Sequence, residues 1–161
     1  MYHASAPLRA AMLFACGGKI TPAMASRKAS LEEHGGFIRD RFITEAELRD
    51  FYASADVIWC VYAPDYDQAS GILGRAMQLG LPVVVRKGSL IHRLCADEGV
   101  AHVALDDATD VADIIALASR KDPAKGAARA LSHRAQSLRR LNDALGVGAS
   151  SNFACAPGTP Q

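Results

Sequence analysis

The apolar residues of this chain come in runs too short for helices, separated by stretches whose apolar residues recur at helical spacing. That alternation marks a parallel sheet covered by helices. The connections are too long for hairpins, so the expected architecture is α/β, with a parallel sheet of about five strands and helices on both faces. The strand candidates are residues 11–16, stopped by Gly17 and Gly18, then 37–43, 57–62, 83–85 and 100–105. The second is weakened by Arg39, Asp40 and Arg41. The third, with Val57, Ile58, Trp59, Cys60, Val61 and Tyr62, is apolar on both faces, as a central strand must be.

Helix signals fall between these runs. Thr44 and Glu47 form a capping box ahead of Leu48, Phe51, Tyr52 and Ala55, which share one face. A second helix is expected to begin at Ser70 and Gly71 and to stop at Gly80, with Ile72, Leu73, Ala76, Met77 and Leu79 as its buried stripe. Residues 90–98 read as a short helix, and Val111, Ile114, Ile115 and Ala118 as the face of another. Beyond Asp122 and Pro123 comes a basic helix with Leu131, Ala135, Leu138, Leu141 and Leu145 on one face, expected to pack back on the domain. The stretch 146–161, rich in Gly, Ala, Ser and Pro, is expected to be a disordered tail.

Composition adds limits. A chain of 161 residues, half of them hydrophobic, has room for one domain with a normal core. The expected division is an extension over 1–9, a domain over 10–145 and the tail. Eighteen Lys and Arg against 17 Asp and Glu give no overall field, so neither nucleic acid nor more than peripheral membrane contact is expected. Cys16, Cys60, Cys95 and Cys155 lack paired spacing, which points to a reducing, cytoplasmic setting rather than to zinc or a disulfide framework. Residues 13–17 read loosely like a lipoprotein cleavage box, but the apolar stretch before them is too short for a signal peptide, and a buried strand is the expectation. None of His3, His34, His92, His102 and His133 has a carboxylate or Cys at ligand spacing.

The most informative segment is FYASADVIWCVYAPDYDQASGILGRAMQLGLPVVV, residues 51–85. It resembles the carboxy-terminal, donor-binding domain of the group 1 family of retaining glycosyltransferases with the two-domain GT-B fold. A helix ending in Tyr and Ala-Asp leads into an apolar strand, a Pro-containing loop with an acidic residue, a small-residue turn, a helix and a Val-rich strand. EAELRDFY before it, and Leu105, Asp106 and Asp107 after it, extend the likeness over roughly 10–120. The resemblance implies a Rossmann-like domain, one half of a GT-B fold. It would bind a nucleoside-diphosphate sugar as substrate, with no metal or other cofactor.

The residues carry part of this by themselves. A strand opening into a small-residue turn and then a helix presents unpaired amides and a positive dipole end to an anion, and Ala69, Ser70 and Gly71 permit close approach. The plainer reading, that Ser70 and Gly71 simply cap a helix, stands beside it. In open α/β sheets ligands lie at the carboxyl ends of strands, so Gly17, Ile43, 62–71 and 87–89 are expected to border one pocket. The donor-binding candidates are therefore Asp67, Gln68, Ser70, Gly71, Arg75, Gly17 and Ile43, and no catalytic residue stands out.

The departures from the family are equally specific. Its two glutamates, separated by seven residues, map onto Asp67, a candidate sugar contact, and Arg75, which cannot accept a hydrogen bond from a ribose. Arg75 reads either as a partner for phosphate or a carboxylated sugar, or as a solvent-facing helix residue. The Arg and Lys that hold the diphosphate in the family have no clear counterpart, since Arg9 fits poorly and Lys19 follows the first strand. With no acceptor domain in the sequence, the chain reads as half of a transferase that needs a separate acceptor-binding domain or subunit. The alternative is a non-catalytic nucleotide-binding or protein-interaction module. A nucleotide-sugar epimerase or a receiver domain ranks below both, because the Tyr62 loop supplies too few acidic residues for a receiver.

Overall fold

A computed structural model describes residues 6–106 and 109–146. The order is α1 (Ala6–Ala11), β1 (Ala15–Gly17), α2 (Ala25–Glu33), β2 (Phe37–Arg39), α3 (Glu45–Ser54), β3 (Ile58–Cys60), α4 (Gly71–Leu79), β4 (Val83–Arg86), α5 (Leu90–Asp97), β5 (His102–Leu105), α6 (Val111–Leu117) and α7 (Pro123–Ala144). The expected tail lies outside the described residues from 147 onward.

The class is α/β and every described strand pairing is parallel, but the strands do not form the single sheet of about five that the apolar runs suggest. They form two ladders: β1 with β2, and β3–β4–β5. The run at 11–16 explains the difference. Ala11 ends α1, and Met12 and Phe14 turn into the core, so only Ala15–Gly17 remain extended. Three residues supply one ladder, to β2, and the link to β3 is made by side chains instead. The Phe14 ring meets Trp59 edge-on with centroids 5.6 Å apart.

The three-stranded sheet is covered on both sides, as its pattern requires. Val83 and Val85 face Leu73, Ala76 and Met77 of α4, Ile91 and Cys95 of α5, and Tyr52 of α3. Val84 faces the other way, with Val61, toward Leu8 of α1 and Ile114 and Leu117 of α6. Alternation with period two thus builds two cores on one central strand. The 1–9 extension is partly structural, because Leu8 is buried in the second core.

Local chemistry sets the helix ends. Thr44 and Glu47 make the reciprocal capping box. Ser70 caps α4, and Gly80 ends it in the left-handed region at φ 65°. At Gly80 close approach matters as well, since a Cβ there would lie 1.8 Å from the Asp122 carbonyl oxygen; one at Gly126 would lie 2.2 Å from the Gly80 nitrogen. Two glycines therefore let the start of α7 sit directly on the end of α4. The rest of α7 departs from expectation, because from Leu131 onward every described residue is exposed.

Candidate functional site

The carboxyl end of β3 runs through Val61 and Tyr62 into the 63–69 loop, where the Tyr66 amide donates to the Ala63 carbonyl to close a turn. Ser70 then caps α4: its Oγ accepts from the Ile72 amide at 3.1 Å and lies 2.8 Å from the Tyr62 hydroxyl. The tyrosine ties strand end, loop and helix start together.

Around this turn lies an open cavity of about 690 Å³. Ser70, Gly71, Ile72 and Arg75 of the α4 start form one wall, Leu48 and Tyr52 of α3 a second, and Tyr62, Ala63, Tyr66 and Ala69 a third. The rings of Tyr62 and Tyr66 meet edge-on at 5.5 Å, and Tyr66 is half exposed. The Tyr52 hydroxyl points to the Ile72 carbonyl at a long 3.4 Å. Burial raises the pKa of both Tyr52 and Tyr62, so they remain neutral hydroxyls at ordinary pH. The chemistry on offer is an aromatic, apolar floor, the hydroxyls of Tyr52, Tyr62, Tyr66 and Ser70, and the first turn of a helix, whose amides have no partner within the helix. Nothing lies within 4 Å of where a Gly71 side chain would begin, so the space over that turn is open.

Arg75 is the cavity's cation, and it is already held. Its Nη1 and Nη2 each donate to a carboxylate oxygen of Glu45 at 3.0 Å, a bidentate pair joining α4 to the first residue of α3. The hydrogen bond and the charge of Arg75 lower the pKa of Glu45, and Glu45 raises that of Arg75.

The remaining candidates separate. Asp67 does not line the cavity: its Oδ1 accepts from the Leu90 amide at 2.9 Å, at the start of α5, and from Arg86 Nη2 at 3.3 Å. The carboxylate therefore fastens the loop to the helix N-terminus, a favourable place for a negative charge. The Nε of Arg86 beside it is buried without a hydrogen-bond partner. Gln68 is exposed on the same loop. Gly17 and Ile43 come together but outside the cavity. A Cβ at Gly17 would lie 2.6 Å from the Phe51 ring and 3.2 Å from Ile43 Cδ1, so Gly17 lets α3 close on β1. Residues 87–89 do not line the cavity either. Ser70, Gly71 and Arg75 are thus brought together, while Asp67, Gln68, Gly17 and Ile43 surround them at other tasks.

The sequence pattern does not mark the α3 wall or Glu45 as part of a site. The signal for Leu48 and Tyr52 was present in the apolar face of α3, but nothing local says that this face ends beside the Ser70 turn. Among the described residues no three His, Cys, Asp or Glu side chains gather as a metal site would require, and no helix is long and apolar enough to cross a membrane.

Comparison with protein-family profiles, curated proteins and solved structures gives no match to this chain.

Proposed function

We propose that the cavity at the Ser70 turn binds a nucleoside diphosphate or nucleotide sugar, and that the chain is a donor-binding domain of the group 1 glycosyltransferase type, Rossmann-like, working with a separate acceptor-binding partner. The observation that carries this reading is the open space over Gly71 at the first turn of α4, at the carboxyl end of a parallel strand. A diphosphate placed there meets first-turn amides that have no partner within the helix, of which Ile72's alone is capped by Ser70, and the positive end of the helix dipole. Tyr62 and Tyr66 offer ring faces and edges for a base or sugar. Arg75, one turn further along the same helix, supplies the countercharge once it leaves Glu45.

Transfer asks for more than this cavity. Donor and acceptor must be held in near-attack geometry, which is worth on the order of 7 to 11 kcal/mol, and a single domain that binds only the donor does not supply it. The isolated chain is therefore expected to bind nucleotide weakly and to transfer no sugar.

A second reading, a non-catalytic binding module, rests on a specific observation. At the two positions where the resembled family carries donor-contacting carboxylates, Asp67 is engaged by Arg86 and the Leu90 amide, and Arg75 by Glu45. Calorimetric titration of the full chain with UDP, GDP and ADP separates the readings. Weak binding lost in Gly71→Val supports the donor site, and the empty surroundings of Gly71 mean that the valine tests the ligand rather than the packing. No heat with any nucleotide favours the interaction module, and binding unaffected by the valine places the nucleotide elsewhere.

A further inference from the structure

We propose that a second cavity, at the amino ends of β4 and β5, is a phosphate site that takes inorganic phosphate or a phosphate monoester and fastens the start of α7 to the domain. The cavity measures about 480 Å³ and shares no lining residue with the one at the Ser70 turn, which opens at the other end of the strands. Its walls are the end of the turn after α6, the residues that lead into β4 and β5, and the first two turns of α7. Those segments bring Arg120, Lys125 and Arg129 together, with His102, against one acid, Asp122. The chain as a whole has a net charge of only +1, so this is a local concentration and not a share of a basic surface. Asp122 is turned to another task, since its Oδ1 caps α7 by accepting from the Lys125 amide at 2.9 Å. Among the described residues no carboxylate pairs with any of the three cations.

Part of the cluster has a structural duty. Arg129 donates to the carbonyls of Met77, Glu98 and Gly99 at 3.4, 2.8 and 3.5 Å, and Lys125 Nζ to that of Gly99 at 3.2 Å. These carbonyls lie at the carboxyl ends of α4 and α5, where a cation is favoured. Carbonyls occupy N–H groups without cancelling the charge, and donors are left over. Among the described residues Lys125 uses one of its three, and Arg120 makes no hydrogen bond or ion pair at all. The helix ends thus account for Arg129 and leave Arg120 without a task. Lys125 and Arg129 converge on Gly99, and nothing lies within 4 Å of where a side chain at Gly99 would begin, so the space beside them is open.

The lining selects the class of ligand. Three cations with no carboxylate partner suit a compact dianion, which accepts several charge-assisted hydrogen bonds at once. No Phe, Tyr or Trp lines this cavity, so a base finds no ring to stack on and recognition falls to the phosphoryl group. Arg120 and Lys125 are exposed, so binding is weak and falls as ionic strength rises. A phosphate held by all three cations joins the turn after α6 to the first turns of α7.

Amide chemical shifts of the isotope-labelled full chain test this, in titrations with inorganic phosphate and with methyl phosphate at an ionic strength held constant with chloride. The expected result is saturable shifts at Gly99, His102, Arg120 and Lys125, with a melting temperature that rises with the same ligand. Whichever probe saturates at the lower concentration tells whether the site is built for the free ion or for an ester. Arg120→Gln should weaken saturation by about fivefold or more without moving the melting temperature of the ligand-free protein, and Lys125→Gln should weaken it similarly. Arg75→Gln, in the other cavity, should leave these shifts as they are. The proposal is overturned by the absence of saturation with both probes up to tens of millimolar, and by shifts confined to Gly71 and Ile72. It is equally overturned by binding that both Arg120→Gln and Lys125→Gln leave intact, or that sulfate reproduces in full, which would mean an adventitious ion only.

Discussion

Arg75, in the cavity wall, and Glu45, thirty residues earlier in sequence, hold each other through two hydrogen bonds of 3.0 Å. A phosphate reaching Arg75 must displace a carboxylate from it. Glu45→Gln is expected to raise the affinity for ADP, UDP or GDP by up to about tenfold, and Arg75→Gln to lower it by a similar factor. Both side chains are well exposed, so neither change should move the melting temperature appreciably. Calorimetry and a thermal melt on the same samples check the two statements together. An unaltered affinity in Glu45→Gln would show that bound phosphate does not reach Arg75.

Two glycines should respond to alanine in opposite directions. At Gly126 the new Cβ meets backbone of Gly80 and Leu79 at 2.2 to 2.6 Å, and backbone does not yield as a side chain does. Gly126→Ala should cost about 1–3 kcal/mol or more in urea unfolding. At Gly74, inside α4, nothing lies within 4 Å, and alanine should add about 0.5–1 kcal/mol by removing freedom from the unfolded chain.

The acid limb of the stability curve should depend on Glu47. Arg41 first, then the Thr44 amide and Arg39, hold this carboxylate well below its usual range. A carboxylate with a depressed folded-state pKa contributes stability that is fully present above its unfolded pKa, near 4.3, and is lost as pH falls toward the folded value. Melting temperature should therefore decline below about pH 4.5 in the wild type. In Glu47→Gln it should start lower at neutral pH and decline less. Asp40, lowered by the Ile20 amide and by Lys28, leaves part of the slope in place.

Thiol labelling should sort the described cysteines by burial. Burial pushes Cys60 up to about 12 and Cys95 up to about 11, and both side chains are sealed in the same core. Cys16 is exposed. With iodoacetamide and peptide mapping, Cys16 should label in the native protein, faster as pH rises, because burial of its thiol and the nearby Asp40 also raise its pKa. Cys60 and Cys95 should label only after unfolding. Native labelling of Cys60 would mean that the core around β3 opens readily.

Much of this was legible in the sequence wherever the signal was local. The Val83–Val85 run, the Thr44 and Glu47 box, the Ser70 cap and the Gly80 stop all concern residues within a turn of one another, and the structure has them in place. What was not legible was long-range or lacked an apolar stripe. Helix α2 buries no residue, so no periodicity announces it. The division of the sheet depends on how few extended residues remain after α1 and Phe14 take their share of the first apolar run. At the site, the Ser70 turn could be read, but its α3 wall and the pairing of Arg75 with Glu45 join segments that only the fold brings together. The leucines of α7 share one face, as their spacing predicts, but they do not pack against the domain, because amphipathicity marks a face without saying what it meets.

The division of the strands has a further consequence. β4 is bonded on both sides and shut away from water, whereas β1 and β2 hold only each other and are tied to the rest by helices and by the Phe14–Trp59 contact. Parting the small ladder breaks few backbone bonds and leaves the larger sheet whole. The domain therefore carries a seam along which it can open in part, with the amides of residues 15–17 and 37–39 exchanging their hydrogens well before those of residues 83–86.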